Sequence, residues 1–277
     1  MSIAKDAANL LVCPYCHNEL QFTKKKLSCF LCKTDYPISS SGQIDFRLKR
    51  EKQIDSPFLL TPEFKPEENI FKYERHFDKN IPRKANGEML LDLGCGNAEI
   101  SQKFTDQGFR YIGLDYCAKK APILGDAHAL PFKDESFSYI YSRAVLEHLR
   151  HPFIAMNEAY RVLKPKGIFW GSVAFMEPFH GNSFYHHTHY GLLNCLQHAN
   201  FTVKCITPNV KEDVLKTQTA MGLFPKVSRS VTDIIVSPLI LSHKLYWKIG
   251  KHFYPEANEK KRLFTNAGSF FFLAEKN

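Results

Sequence analysis

Several things are missing from this 277-residue chain, and each absence excludes something. No apolar run approaches the ~18–20 residues needed to span a bilayer, so a soluble protein is expected. The opening "MSIAKDAANLLVCPYC" has no long apolar core and no small-residue cleavage site. That argues against a secretory leader and for a cytoplasmic location. Glycine is scarce, 14 residues in all, so the pair Gly94 and Gly96 in "LDLGCGNAEI" stands out. Yet the third glycine of a dinucleotide-binding turn is lacking, because Glu99 occupies its place. Acidic flanks are lacking too. The net charge of +9 is made of +4 over residues 1–84, −1 over 85–199 and +6 over 200–277. Basic flanks on a neutral centre suit RNA, anionic lipid or an acidic glycan, set against the plainer reading of solubilising surface lysines.

Eight cysteines without export point to metal ligands and thiols rather than disulfides. Cys95, Cys117, Cys195 and Cys205 are scattered. Cys13, Cys16, Cys29 and Cys32 fall in "CPYCHNELQFTKKKLSCFLC", two C-x2-C knuckles twelve residues apart. Such knuckles converge four thiolates on one tetrahedral zinc. A structural zinc supplies what a core of roughly 40 residues cannot, and the lysine-rich segment between the knuckles suits a short hairpin. With "KTDYPISSSGQIDF" after it, the stretch from Leu11 to Phe46 resembles the Trm112-like zinc ribbon, a module fused to or partnered with methyltransferases. A ribbon over residues 8–48 is expected. Pro57, Pro62, Pro66 and Pro82 then punctuate a charged linker over 49–85. Within it, Ile70, Tyr73 and Phe77 recur at helical spacing and predict a short amphipathic helix.

From Glu88 the rhythm is strand, glycine turn, helix, strand, with strands in "EMLLDLG", "RYIGLDYC", "FSYIYSRA", "IFWGSVAF" and "FTVKCITP". "AEISQKFTDQG" reads as a helix ended by Gly108, and "FIAMNEAYRVLKPKG" as one closed by Pro165 and Gly167. Alternation of this kind predicts a parallel sheet with helices on both faces and a ligand beyond the carboxyl ends of the strands. A pyrophosphate docks on bare N–H groups at a helix N-terminus. Asp92 and Glu99 make this turn anionic instead, which disfavours NAD and fits a cationic ligand such as S-adenosylmethionine. Asp115, nineteen residues after Gly96, is placed to accept both ribose hydroxyls, and Asp126 in "GDAHALPF" suits the adenine amine.

Together with "AVLEHLRHP" and "EAYRVLKPKG", these residues resemble the class I S-adenosylmethionine-dependent methyltransferases, specifically the type 11 group. The resemblance implies an α/β fold with a Rossmann-like, seven-stranded sheet over 86–277. In it Asp92, Gly94 and Gly96 line the methionine end, Asp115 holds the ribose, and Asp126 with Ala127 holds the adenine. Two departures stand out. Ala98 replaces a frequent glycine. Only ten residues separate Asp115 from Asp126, too few for a full crossover helix, which would leave the site open on one side.

A hydroxyl acceptor needs a base, and Glu147 and His148 in "VLEHL" are candidates, with helix packing and capping as the alternative. The E-x-x-E-H pattern of metal-dependent O-methyltransferases is absent, because Ala144 holds the first Glu position, so no catalytic metal is expected. No [DNS]-P-P-[YFW] motif follows the fourth strand, which weighs against base-amine methylation. "EPFHGNSFYHHTHYGLLNCLQHANF" carries His180, His186, His187 and His189 without a clear ligand pair. It resembles a loop that roofs the acceptor in enzymes of polysaccharide and glycolipid pathways, where His180 and Tyr185 would contact the acceptor. Thr188 is placed to cap the helix that follows. "GSFFFLAEKN" reads as a seventh, antiparallel edge strand. Before it, a helical insertion at about 209–266 suits an acceptor lid, a basic helix at a membrane surface through 230–254, or packing on the sheet edge. The leading reading is O-methylation of a polar small molecule or a glycan- or lipid-linked acceptor. The alternatives are an rRNA or tRNA methyltransferase whose ribbon and basic flanks hold RNA, and a non-catalytic ribbon adaptor.

Overall fold

The computed structural model describes residues 8–50, 68–72, 82–178, 181–254, 256 and 258–277. Near the N-terminus, β1 (Gln21–Phe22), β2 (Lys26–Cys29) and β3 (Thr34–Pro37) form a small antiparallel sheet around the four cysteines. β4 (Ile44–Asp45) then leaves it. The remaining strands are β5 (Met89–Leu93), β6 (Arg110–Asp115), β7 (Ile123–Leu124), β8 (Phe137–Arg143), β9 (Leu163–Ala174), β10 (Phe201–Pro208) and β11 (Ser269–Lys276). The large sheet runs β10-β11-β9-β8-β5-β6-β7-β4. All five residues of β5 are buried, as a central strand covered on both faces requires. Phe104, Phe109 and Trp170 fill one side of the sheet, while Leu91, Ile140, Met156 and Phe169 belong to the larger core cluster.

Helices α1 (Ser101–Asp106), α2 (Pro152–Val162) and α3 (His189–His198) belong to this core, and α3 is capped by Thr188, whose Oγ1 accepts the Gly191 N–H. Between β10 and β11 come α4 (Val214–Thr217), a π-type turn (Gln218–Leu223), α5 (Arg229–Gly250) and α6 (Glu259–Thr265). Tyr73 and Phe77 lie outside the described residues. Ile70 is buried in a single 3-10 turn, and Phe71 bridges to Ile206 on β10.

The seven strands expected over 86–277 are β5 to β11, and β4 of the N-terminal module joins them as an eighth by pairing in parallel with β7. The sequence reading needs correction at three points. β11 is antiparallel as expected but lies between β9 and β10, so β10 is the edge. α2 ends at Val162, and β9 begins at once, before Pro165 and Gly167. α1 starts at Ser101, so Glu99 is an exposed turn residue rather than part of its first turn.

No helix forms in the short link from β6 to β7, as expected, and the N-terminal module packs against the link. Gln43 Nε2 donates to the carbonyls of Ala118, Lys119 and Ala121 at 3.2, 3.4 and 2.6 Å. Phe46 N–H donates to Leu124 O at 2.6 Å, and Val12 N–H to Pro131 O at 3.0 Å. The loop from Asp126 to Asp134 is held from its other side. Leu130 N–H donates to Glu158 Oε2 at 2.7 Å, and Arg161 binds Glu158, Asp134 and the carbonyls of Leu130 and Phe132. Motifs distant in sequence are thereby locked into one unit.

Arg161→Ala leaves the largely buried Glu158 without its partner and is expected to cost about 3–5 kcal/mol of stability. Gln43→Ala removes hydrogen bonds worth about 1 kcal/mol each and should cost less. Urea denaturation measures both. An Arg161→Ala variant within about 1 kcal/mol of the parent would contradict this ranking.

Candidate cofactor site and cysteine cluster

The turn after β5 is built by positive backbone angles. Gly94 has φ +79°, and a Cβ there would lie 2.2 Å from Val145 Cγ2, so only glycine fits. Gly94 and Cys95 donate their N–H groups to Leu114 O at 2.8 and 3.0 Å, which folds the turn back onto β6. Gly96 has φ +55°, and a Cβ there would meet nothing within 4 Å. That bare space is where a ligand can approach the backbone. Ala98 also sits in the left-handed region, at φ +58°, which costs an L side chain about 1–2 kcal/mol and gives the frequent glycine at this position a backbone reason.

Three carboxylates stand in β5, at the end of β6 and just past β7. Asp115 ends β6. Its Oδ2 accepts the Gly96 N–H at 3.0 Å, and its Oδ1 accepts those of Cys117 and Ala118 at 2.9 Å. A carboxylate has about four acceptor sites, so Asp115 keeps acceptor capacity beyond these three N–H groups. Asp126 Oδ1 accepts from the backbone and ring of His128 at 2.9 and 2.6 Å. Burial pushes its pKa up, but the His128 bonds outweigh that and hold it below the usual carboxylate range. His128 Nε2 in turn accepts the His151 N–H at 3.2 Å, and Ala127 is buried beside it.

Asp92, only 2% exposed, accepts the Tyr111 hydroxyl proton at 2.6 Å. Burial raises its pKa to about 6, Tyr111 opposes the rise, and the charge of Asp115 adds to it. The strand ends therefore accumulate negative charge that a cation would relieve.

The base candidates separate. Glu147 is fully enclosed. Its Oε1 accepts the Ala174 N–H at 3.3 Å, and its carbonyl accepts from Phe184 and Tyr185 at 2.6 and 3.1 Å. The side chain thus joins the end of β9 to the loop after β8. His148 is half-buried, and a Cβ on Gly181 would lie 3.7 Å from its Cε1. His180 lies outside the described residues. Tyr185 donates its hydroxyl proton to Arg150 O at 2.9 Å. With Arg150, His151, His186, His187, Thr188, Asn194 and others it lines a cavity of about 460 Å³ between the starts of α2 and α3. Sequence reasoning had grouped His187 only with the other histidines of its loop. It is buried, and burial lowers its pKa, so its ring stays neutral near pH 7.

Cys13, Cys16, Cys29 and Cys32 place their sulfurs within 4.8 Å of one another. Cys16 Sγ and Cys29 Sγ are 3.6 Å apart, close to the ~3.8 Å edge that four ~2.3 Å Zn–S bonds define. Tyr36 OH lies 3.1 Å from Cys13 Sγ and Cys32 N–H 3.4 Å from Cys29 Sγ, a supporting shell of the kind that orients metal ligands. Among the described residues this is the one cluster able to hold a metal ion.

Asp92 supplies a test of this electrostatic picture. Its folded pKa of about 6 lies above the reference 3.8, so the fold prefers the protonated form and loses stability as pH rises from about 4 to 6. Asp92→Asn keeps an acceptor for Tyr111 and removes the charge. It is expected to be more stable than the parent by about 2–3 kcal/mol at neutral pH and equal to it near pH 4, by urea denaturation at both. A gain that is the same at both pH values would contradict the assignment.

Two family models match the sequence, a methyltransferase domain over residues 91–171 and a Trm112p-like protein over residues 5–41. An uncharacterized methyltransferase of Mycobacterium leprae is 34% identical over 95 residues, covering 30% of this chain and 35% of that protein. The malonyl-[acyl-carrier protein] O-methyltransferase of Erwinia billingiae is 33% identical over 95 residues, covering 30% and 38%. The chain thus spans little more than a third of the length of these relatives. Among solved structures, a chain in the complex of the Haloferax volcanii Trm112 methyltransferase activator aligns at 16% identity, covering 70% of this chain and 84% of that one, with a TM-score of 0.45. By sequence, then, the chain joins a segment similar to Trm112p-like proteins, residues 5–41, to one similar to methyltransferase domains, residues 91–171.

Proposed function

We propose that this protein is an S-adenosylmethionine-dependent methyltransferase acting on a hydroxyl of a polar small molecule or a glycan- or lipid-linked acceptor. One observation carries the reading: the open backbone of Gly96 lies at strand ends where Asp92, Asp115 and Asp126 concentrate negative charge. A phosphate-bearing dinucleotide would meet repulsion there, whereas an amine and a sulfonium are attracted. In this reading Asp92, Gly94 and Gly96 shape the methionine end, Asp115 holds the ribose, and Asp126 with Ala127 holds the adenine. The bound cofactor would supply an activated methyl group. The chain's own contribution is to fix the approach and remove the acceptor proton.

The cavity beside the β8–α2 loop is the proposed acceptor site, with Arg150 and His151 attracting polar or anionic groups. His148 and the neutral His187 replace the enclosed Glu147 as candidate bases, and Glu147 becomes a positioning residue. The cysteine cluster is proposed to hold one structural zinc, stabilising the module that braces the cofactor loops. Metal analysis should find one zinc per chain, and Cys16→Ser should lose it.

Two glycine variants separate binding from folding. Gly96→Leu projects into open space and carries only the left-handed backbone cost of about 1–2 kcal/mol, so it should fold and lose cofactor affinity by more than tenfold. Gly94→Ala collides with Val145 and should destabilise the fold more strongly. Calorimetric titration and urea denaturation read both. Equal cofactor affinity in Gly96→Leu would refute the proposed site. Incubation with labelled S-adenosylmethionine and cell extract then identifies the acceptor. Label in a lipid–glycan or small-molecule fraction supports the reading. Label in RNA that nuclease removes would overturn the acceptor class.

A further inference from the structure

α5 is the most exposed apolar element among the described residues. Of its 22 residues only Thr232 and Val236 are buried. Ile240, His243 and Trp247 continue that inward face as half-buried residues at helical spacing. The outward and one flanking face carry Val231, Ile234, Ile235, Leu239, Leu241, Leu245, Tyr246 and Ile249, with Ile234, Leu241 and Tyr246 at 70–73% exposure. Phe253 and Tyr254 extend the face past the helix end. A stripe of this size exceeds the scattered apolar residues of an ordinary protein surface and calls for a partner.

Charge selects the partner. Lys244, Lys248 and Lys251 recur at intervals of four and three and border the stripe on one side, with Lys226 and Arg229 at the helix start. From residue 226 to 254 the single acid is Asp233, which is paired with Lys216 at 3.5 Å. Tyr246, Trp247, Phe253 and Tyr254 gather at the same end as the lysines. An outward apolar face, a basic border and terminal aromatic rings are the features of a helix lying in the plane of an anionic bilayer. No helix of the described residues is long and apolar enough to cross a membrane.

We infer that α5 docks this protein on an anionic lipid surface, its apolar stripe in the headgroup–acyl boundary and its lysines on the headgroups. The segments that lead into α5 pack against the residues after β9: Thr217 Oγ1 donates to Met176 O at 3.3 Å, and a Cβ on Gly222 would lie 3.3 Å from Pro178 Cγ. Resting on the function proposed above, a lipid-docked helix suits the lipid-linked member of the acceptor class.

The test is co-sedimentation of the full chain with phosphatidylcholine vesicles, with and without roughly a third phosphatidylglycerol. The anionic vesicles should bind at least tenfold more tightly than neutral ones, and added salt should weaken the binding. Replacing Lys244, Lys248 and Lys251 together by Gln should reduce affinity on the order of a hundredfold. Ile234→Ser with Leu241→Ser and Leu245→Ser should abolish binding. All six side chains face outward, so urea denaturation should show parental stability. Calorimetric titration with S-adenosylmethionine, made without vesicles, reads the methyltransferase assignment separately. The inference is overturned if neither vesicle binds, if binding ignores both the charge and the serine variants, or if sedimentation equilibrium shows α5 occupied by a second copy of the chain.

Discussion

Seven residues, 116–122, join β6 to β7, and the rest of the structure follows from that shortage. Parallel strands need a connection of about a dozen residues or more to carry a helix across the sheet. Without one, the β7 edge and the loops on either side of it would stand exposed at the place where Asp115 and Asp126 are held. The N-terminal module fills the gap: β4 pairs with β7, and Gln43 satisfies three carbonyls that a helix would have satisfied internally. The segment that follows the small sheet, Gln43 with β4, therefore supports the link and strand between Asp115 and Asp126.

This arrangement gives the cysteine cluster a consequence beyond its own stability. Burial and the neighbouring sulfurs push the Cys32 thiol up to about 12. A bound cation would stabilise the thiolates and hold the module, and with it the link that Gln43 binds. Glu158 and Arg161 clamp the following loop, from Asp126 to Asp134, from the opposite side. The candidate adenine subsite is thus set by two supports that come from chain segments more than a hundred residues apart.

Local chemistry was legible in the sequence where it depended on spacing. The C-x2-C pairs announced the cluster, Gly94 and Gly96 the turn, Thr188 the cap, and "FTVKCITP" matched β10 at both ends. What spacing could not disclose was competition between segments. β4 is two residues long, and nothing in "QID" indicates that it joins the larger sheet. β11 carries the apolar density of an interior strand, "SFFFL", yet position along the chain suggested an edge. Glu147 read as a base because it follows a strand, while its burial depends on Ala174 and Phe184, which are distant in sequence. His187 became distinct from its neighbouring histidines only once its enclosure was visible. The exposure of α5 was equally hidden, because an amphipathic pattern looks the same whether or not the second face has a partner.

The most direct measurement of the central claim is amide hydrogen exchange with S-adenosylmethionine and, separately, with NAD. The account predicts that S-adenosylmethionine slows exchange at Gly94–Asn97, at Asp115–Ala118 and at Ala127–Leu130, and that NAD leaves all three segments unchanged. Protection of the Gly94–Asn97 turn by NAD, or none by S-adenosylmethionine, would contradict it.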